Sequence, residues 1–349
     1  MLYHLTMRRL MANARTVFRV TLLGCFALQQ TAQAQAADED TTLETVIVTA
    51  SRSPDTALTL PVAWSALNNS TIDRIAPQHS NQVFNRVAGA WVSRGNGQES
   101  LISLRSPVLT GAGSCGAFMA AQDGISVRSP GFCNVNQLFD VNLLQAGKLE
   151  VLKGPATVVF GSNAQHGIIN VLSRSVSDTP DQIKVEAGSR DYYRLAGSAA
   201  FGSLALSAQT TTYGGYQDAS GYDQQKATLR IDHDWQYWRV EGLLEGSNLN
   251  QETAGYIRGF EAYEDDDARE ENPNPEAYRD AWTARGYLGF TRDWGTNAEV
   301  TLRPYWRSNS MTFLQHYLPW KATESNRHRS LGLQACLLYT SPSPRDLLK

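Results

Sequence analysis

From about Asp181 onward the chain breaks into short segments in which apolar and polar residues alternate with a period of two, the mark of strands with one oily and one polar face. In Lys226–His233, Ala227, Leu229 and Ile231 share one face, and Lys226, Thr228, Arg230 and Asp232 the other. Trp238, Val240 and Leu244 oppose Arg239, Glu241 and Glu245 in the same way, and Ala298, Val300, Leu302 and Trp306 oppose Glu299, Thr301, Arg303 and Arg307. The alternation predicts strands over about 183–189, 192–201, 204–213, 226–234, 237–248, 284–293, 297–309 and 328–335. Connections at Phe201-Gly202-Ser203, Trp235-Gln236 and Trp294-Gly295-Thr296 are tight, whereas Tyr213–Gln224, Leu249–Thr283 and about Ser310–Arg327 are long. A secreted β-sandwich also alternates. Short turns on one side, long loops on the other and aromatics at the strand ends fit a transmembrane β-barrel instead, with a belt of Tyr192, Tyr193, Phe201, Tyr213, Trp235, Tyr237, Trp238, Trp294 and Trp306.

The N-terminus has a different pattern. Arg8, Arg9, Arg15 and Arg19 precede the apolar run Val20–Leu28, and Ala-x-Ala sites follow at 32–34 and 34–36, so residues 1–36 read as a secretory signal peptide, with initiation at Met1, Met7 or Met11. Leu22-Leu23-Gly24-Cys25 is a weaker, lipoprotein-like alternative. Export leaves Cys115, Cys133 and Cys336 in an oxidising compartment. Cys115 and Cys133 lie in one glycine-rich stretch, where a disulfide would close a loop of about 18 residues and remove roughly 3 kcal/mol of unfolded-state freedom. The rival is a copper site through Cys115 and Met119, which lacks a His-x-Met partner.

Between leader and strands, Leu149-Glu150-Val151-Leu152-Lys153-Gly154-Pro155-Ala156 continues through Phe160-Gly161-Ser162-Asn163-Ala164 to Gly167-Ile168-Ile169-Asn170-Val171. Taken alone, this is a short apolar strand ended by Gly154-Pro155 and then a turn-rich path, as in a small α/β core. Together with Gln82–Val92, Leu104-Arg105-Ser106-Pro107 and Asp123-Gly124-Ile125, it resembles the plug domain of TonB-dependent outer-membrane receptors over about residues 44–175. Ser106 and His166 stand where that family usually has glycine. The resemblance implies an α/β plug domain over 53–178, followed over 179–335 by about the first eight of about 22 antiparallel barrel strands. Gly154, Pro155, Gly161, Asn163 and Asn170 are then structural residues of the plug, and Arg105, Glu150, Lys153 and Arg174 are expected to contact the lumen wall. Within segment 37–52, Glu44-Thr45-Val46-Ile47-Val48-Thr49-Ala50 resembles the TonB box, a β-prone peptide able to add as a strand to a partner's sheet edge. The alternative is an ordinary plug strand. Too few residues precede the box for a separate signalling domain. From Cys336 the alternation is expected to stop, and 336–349 reads as a non-native tail resembling translated adapter sequence.

Charge and motif content narrow the function. The chain has 31 basic against 34 acidic side chains, which leaves no cationic surplus for a nucleic acid. Its six histidines are scattered, and it has no Gly-x-Ser-x-Gly, His-Glu-x-x-His or phosphate loop, so it is not expected to be an enzyme or to carry a cofactor. The resemblance implies energised import, with TonB and its inner-membrane energising complex as partners, outer-membrane lipid around the barrel and a small metal chelate as ligand. A ferric siderophore is the expected class; cobalamin, haem or copper import and a passive channel or adhesin are alternatives. Glu261, Glu264, Asp265, Asp266, Asp267, Glu270 and Glu271 against the single Arg269 make one loop acidic. In that loop, Asn272-Pro273-Asn274-Pro275 has a faint likeness to a haem-receptor motif.

Overall fold

The computed structural model describes residues 47–48, 55–56, 63–105, 118–128, 137–161, 163–295 and 298–339. All of them belong to one compact unit beginning at Thr45. A two-residue strand, β1 (Ile47–Val48), pairs antiparallel with β2 (Asp55–Thr56). Then follow β3 (Ala63–Asn68), helix α1 (Asn69–Ile75), the short helix α2 (Asn81–Phe84), and a hairpin of β4 (Ala90–Arg94) and β5 (Ser100–Leu104). β6 (Met119–Gln122), β7 (Ile125–Ser126), β8 (Ala146–Lys153), the one-turn helix α3 (Thr157–Phe160) and β9 (Gly167–Ser173) complete an inner α/β domain. Its five-stranded sheet runs β3-β8-β9-β6-β7, with β6 and β9 parallel. Helix α1 starts where the Asn68 side chain accepts from the Thr71 amide and ends at Ala76 in the left-handed region, so both termini have capped backbone groups. The core is Ile72, Val83, Phe84, Val92, Ile102, Leu104, Leu149, Val151 and Ile169, each at most 2% exposed.

Gly154 and Gly167 show why the motif between β8 and β9 needs glycine. Gly154 takes φ +136°, and its amide donates at 2.9 Å to the carbonyl of His166, the residue that stands where the family usually has glycine. Gly167 follows at φ +141°, and a Cβ there would lie 2.0 Å from the Leu152 carbonyl oxygen.

The second part is one antiparallel wall of eight strands in chain order: β10 (Gln182–Gly188), β11 (Tyr192–Phe201), β12 (Leu204–Tyr213), β13 (Tyr222–Trp235), β14 (Trp238–Glu252), β15 (Tyr278–Trp294), β16 (Ala298–Leu314) and β17 (Thr323–Tyr339). All eight expected strands are present, joined at one end by tight turns and at the other, after β12, β14 and β16, by longer loops. Several run further at the loop end than the alternation indicated. There several outward positions are polar (Asn248, Asn250, Asp280, Ser308, Ser310), with Trp282 an exception, so the hydrophobic alternation is interrupted before the hydrogen-bond ladder ends. At the other terminus β17 continues four residues past the expected boundary, with Cys336–Tyr339 paired to Ala298–Thr301.

Burial in the wall is inverted relative to a water-soluble sheet. Ile183, Val185, Leu195, Leu206, Leu244, Leu288 and Leu333 are exposed, whereas Arg194, Lys226, Glu245, Arg285 and Arg307 are buried against the inner domain. An apolar outer band over a polar lumen is the order of a membrane barrel. No helix among the described residues is long and apolar enough to cross a membrane. Two members of the expected aromatic belt face inward instead. Tyr192 shares the face of Arg194, Tyr213 shares that of Thr211, and their rings meet edge to face at 6.5 Å.

Candidate functional site

The inner domain is held to the wall through polar contacts in which the wall supplies most of the charge. The β6–β7 turn, Asp123-Gly124, enters a pocket of wall side chains. The Asp123 carboxylate accepts from the Ser173 amide at 2.8 Å, the Ser173 hydroxyl at 2.7 Å and Tyr287 Oη at 3.0 Å. Arg303 donates to the Asp123 carbonyl at 2.7 Å and Gln334 to the Gly124 carbonyl at 2.9 Å, while Arg307 reaches the Ser126 carbonyl. Asn170 fixes the turn from behind, its Oδ1 accepting from the Gly124 amide at 2.9 Å. Arg230 donates to Tyr287 Oη at 2.7 Å and pairs with Asp232 and Glu241.

One residue earlier, Gln122 joins the wall directly. Its amide nitrogen donates to Glu245 at 2.8 Å and its oxygen accepts from Arg285 at 2.5 Å, while Arg285 and Glu245 pair at 2.8 Å. Segment 137–145 lies beside this triad. The Asn142 amide donates to Glu245 at 3.2 Å, Lys226 Nζ to the Val141 carbonyl at 2.8 Å and Gln224 to the Phe139 carbonyl at 3.3 Å. Phe139 packs with Tyr222, Leu249, Ala281 and Met311, which gives the polar interface one apolar anchor. Asp140 is buried in the same place, and desolvation pushes its carboxyl up to about 6 against the opposing pull of Arg285 and Lys226.

Nearer the loop end, the Gln98 amide donates to Gln251 Oε1 at 2.7 Å, Asn96 to the Ala254 carbonyl at 3.0 Å, and Glu99 pairs with Arg279 at 2.7 Å. Burial lowers the pKa of His79, whose ring spans Asn81 and the Glu99 carbonyl. Arg194 caps the end of α1 through the Ala76 and Pro77 carbonyls.

The four charges expected to meet the wall have other contacts. Lys153 Nζ donates to Ser65 Oγ at 2.8 Å and the Ala88 carbonyl at 2.9 Å, inside the domain, and burial with nearby Arg105 lowers its pKa. Arg174 pairs with Asp73 at 2.9 Å, and Glu150, fully buried, with Lys148 at 3.0 Å. The Arg105 amide donates to the Gly89 carbonyl, and its side chain lies beside Gly89. Lys153, Glu150 and Arg174 thus have polar partners within the domain, as buried charges require. Gly161 takes φ +91° as the residue capping α3, and Asn163 lies in the following turn.

Of the segment 44–50, Ile47 and Val48 form β1, opposite Thr56 and Asp55; Glu44, Thr45, Val46, Thr49 and Ala50 lie outside the described residues. Cys115 and Cys133 also lie outside them, and Cys336 is a free thiol. The Asn-Pro-Asn-Pro run is a loop clasp. Asn272 is 8% exposed, its Oδ1 accepts from the Gly255 and Asn274 amides, and its Nδ2 donates to the Ala219 carbonyl. No group of three His, Cys, Asp or Glu side chains able to hold a metal ion occurs among the described residues.

Residues 56–168 match the family described as TonB-dependent Receptor Plug Domain. Among solved structures, the chain is similar to the ferric yersiniabactin uptake receptor FyuA from Yersinia pestis, at 17% identity over 80% of this chain and 46% of that one, with a TM-score of 0.58. It is similar to the ferric citrate transporter FecA at 14% identity over 82% of this chain and 45% of that one, TM-score 0.65. The copper transporter OprC matches at 14% identity over 81% of this chain and 44% of its own, TM-score 0.58. The chain thus spans less than half the length of each of these structures, and what they share with it is the fold.

Proposed function

We propose, for a chain that carries a TonB-dependent receptor plug domain against strands with the fold of that family's barrel, that it is part of an energy-coupled importer of the outer membrane. The observation that carries this reading is the filled lumen: the inner domain occupies the polar face of the wall and is bonded there through Gln122, Asp123, Asn142, Gln98 and Glu99. A pore blocked in this way passes a ligand only when work is done on the plug. Strand addition of Glu44–Ala50 to TonB, in turn connected to its inner-membrane energising complex, gives that work a point of attachment. The plug and the N-terminal segment then face the periplasm, on the side of the tight turns. A scarce ferric siderophore is the cargo class, by likeness to the ferric yersiniabactin and ferric citrate receptors, and copper is the competing cargo by likeness to the copper transporter.

The test uses the complete receptor in its own outer membrane and radio-iron presented on a panel of siderophores, with ionic copper in parallel. Val46→Pro or Ile47→Pro removes a main-chain donor from the segment, so binding to cells is expected to persist while accumulation falls to the level of cells without a proton gradient. Thr56→Pro interrupts the β1–β2 pair from the other strand and is expected to leave uptake in place. Normal accumulation by the box variants would overturn energy coupling and favour a passive channel. Copper accumulation alone would change the cargo and leave the mechanism.

A further inference from the structure

On the outer face of the wall, at its tight-turn end, Arg292 lies within a cage of three aromatic rings. Its guanidinium carbon is 5.2 Å from the Trp294 ring centroid, 5.3 Å from Tyr237 and 5.7 Å from Trp238. The alternation of β15 sets Arg292 on the face of Leu288, Phe290 and Trp294, and its cross-strand partner is Val300. Arg292 is thus on the side turned toward lipid, two residues from the end of β15, or about 7 Å along the strand. That is the depth at which the apolar band gives way to headgroups. The nearby carboxylates Asp293 and Glu299 are engaged by a different cation, Arg239, at 3.7 and 2.8 Å. Among the described residues, Arg292 is the one cation on the outer face in the tight-turn half of the wall.

We infer that Arg292, with Tyr237, Trp238 and Trp294, is a binding site for the phosphodiester of an anionic glycerophospholipid in the leaflet on the tight-turn side. The rings hold the guanidinium by cation–π contact over its face, which leaves its in-plane N–H groups free to donate to phosphate oxygens. Trp235 and Tyr237, both exposed, supply amphipathic walls beside the headgroup and acyl boundary. The inference rests on the barrel reading above and adds to it a specific lipid.

The experiment is native mass spectrometry of the complete receptor released from nanodiscs of equal parts phosphatidylglycerol and phosphatidylcholine, after a heat-modifiable gel shift has established a closed barrel. The receptor is expected to retain phosphatidylglycerol over phosphatidylcholine by about fivefold through this site. Arg292→Gln is expected to abolish that preference, Arg292→Lys to keep part of it, and Arg239→Gln, which removes an equal charge from the same end, to leave it intact. Equal retention by the parent and Arg292→Gln proteins, or equal loss in Arg239→Gln, would overturn the site while leaving the barrel. Absence of the gel shift would overturn the barrel and the site together.

Discussion

Gln122 of the inner domain touches both members of a wall ion pair, donating to Glu245 at 2.8 Å and accepting from Arg285 at 2.5 Å, in a place where Glu245 is 2% and Arg285 8% exposed. The amide suits the position because its two ends match an acceptor and a donor fixed 2.8 Å apart on β14 and β15. Gln122→Leu is expected to leave a buried carboxylate oxygen and guanidinium nitrogen short of partners, weakening the plug's attachment by about 2–3 kcal/mol. Limited proteolysis of the complete receptor should show faster cleavage within the plug, with the barrel unchanged. An unaltered rate would mean that the ion pair holds the plug without Gln122.

The core cluster around Ile72, Phe84 and Leu149 draws all its residues from positions 72–171, so residues 44–178 are expected to be soluble and to unfold cooperatively when expressed alone. Within that segment two glycines separate two costs. Gly161 has φ +91° and open space around its Cβ position, so Gly161→Ala should destabilise by about 1–3 kcal/mol through backbone strain. Gly167 combines φ +141° with contacts of 2.0 Å to the Leu152 carbonyl and 2.6 Å to Leu104, so Gly167→Ala should cost more than about 4 kcal/mol or prevent folding. Equal melting temperatures for the two variants would contradict this.

Asp140 sets a pH dependence. Its carboxyl has an ordinary pKa of 3.8 and is pushed up to about 6 by burial in the plug's seat, where Lys226, Glu245, Thr283 and Arg285 face it. Between those values the seated plug holds a proton that the unfolded chain has released, so stability from this group is greatest below about pH 4, declines as pH rises and levels off above about pH 6. The span is on the order of 3 kcal/mol. Asp140→Asn cannot release the proton, so its plug stability relative to the parent should rise from pH 4 to pH 7. A difference that is flat with pH, measured by plug unfolding in the complete receptor, would rule out this role.

The wall was legible because barrel strands print a strict period-two pattern, as in Ala227-Leu229-Ile231 on β13. Where strands rise above the apolar band, as at Asn248–Glu252, the outward positions are polar and the apolar Leu249 faces inward, so the outward apolar alternation that marks a membrane strand is lost. The inward turn of Tyr192 and Tyr213 was missed because an aromatic at a strand end looks the same on either face, and only its parity with Arg194 or Thr211 distinguishes them. The seat was half legible: Glu241, Glu245 and Arg303 stood out as charges on a barrel face. Much of what the wall meets in the plug was hidden, because the Asp123, Val141 and Phe139 carbonyls that accept from Arg303, Lys226 and Gln224 leave no residue signature. The charges that do stand out in the plug, Lys153 and Arg174, bond inside it.

The last prediction concerns the edges. Among the described residues β10 pairs with β11 and β17 with β16, and β10 and β17 do not pair with each other, so the eight-stranded sheet is open. In lipid the outer donors and acceptors of both edge strands would lack partners, at several kcal/mol for each group. The 349 residues expressed alone are therefore expected to aggregate or be degraded, and to give no heat-modifiable band in a detergent gel, whereas the complete receptor should give one. A heat-modifiable band from the 349-residue chain would mean that β10 and β17 had closed on each other. A ring of eight strands has a lumen filled by its own side chains, so the plug would have to leave. In that event Gln122, Asp123 and Asn142 would lose their wall partners, and protease would cut the plug at the rate of the isolated 44–178 segment. The two measurements together separate an open wall with a seated plug from a small closed barrel that has expelled it.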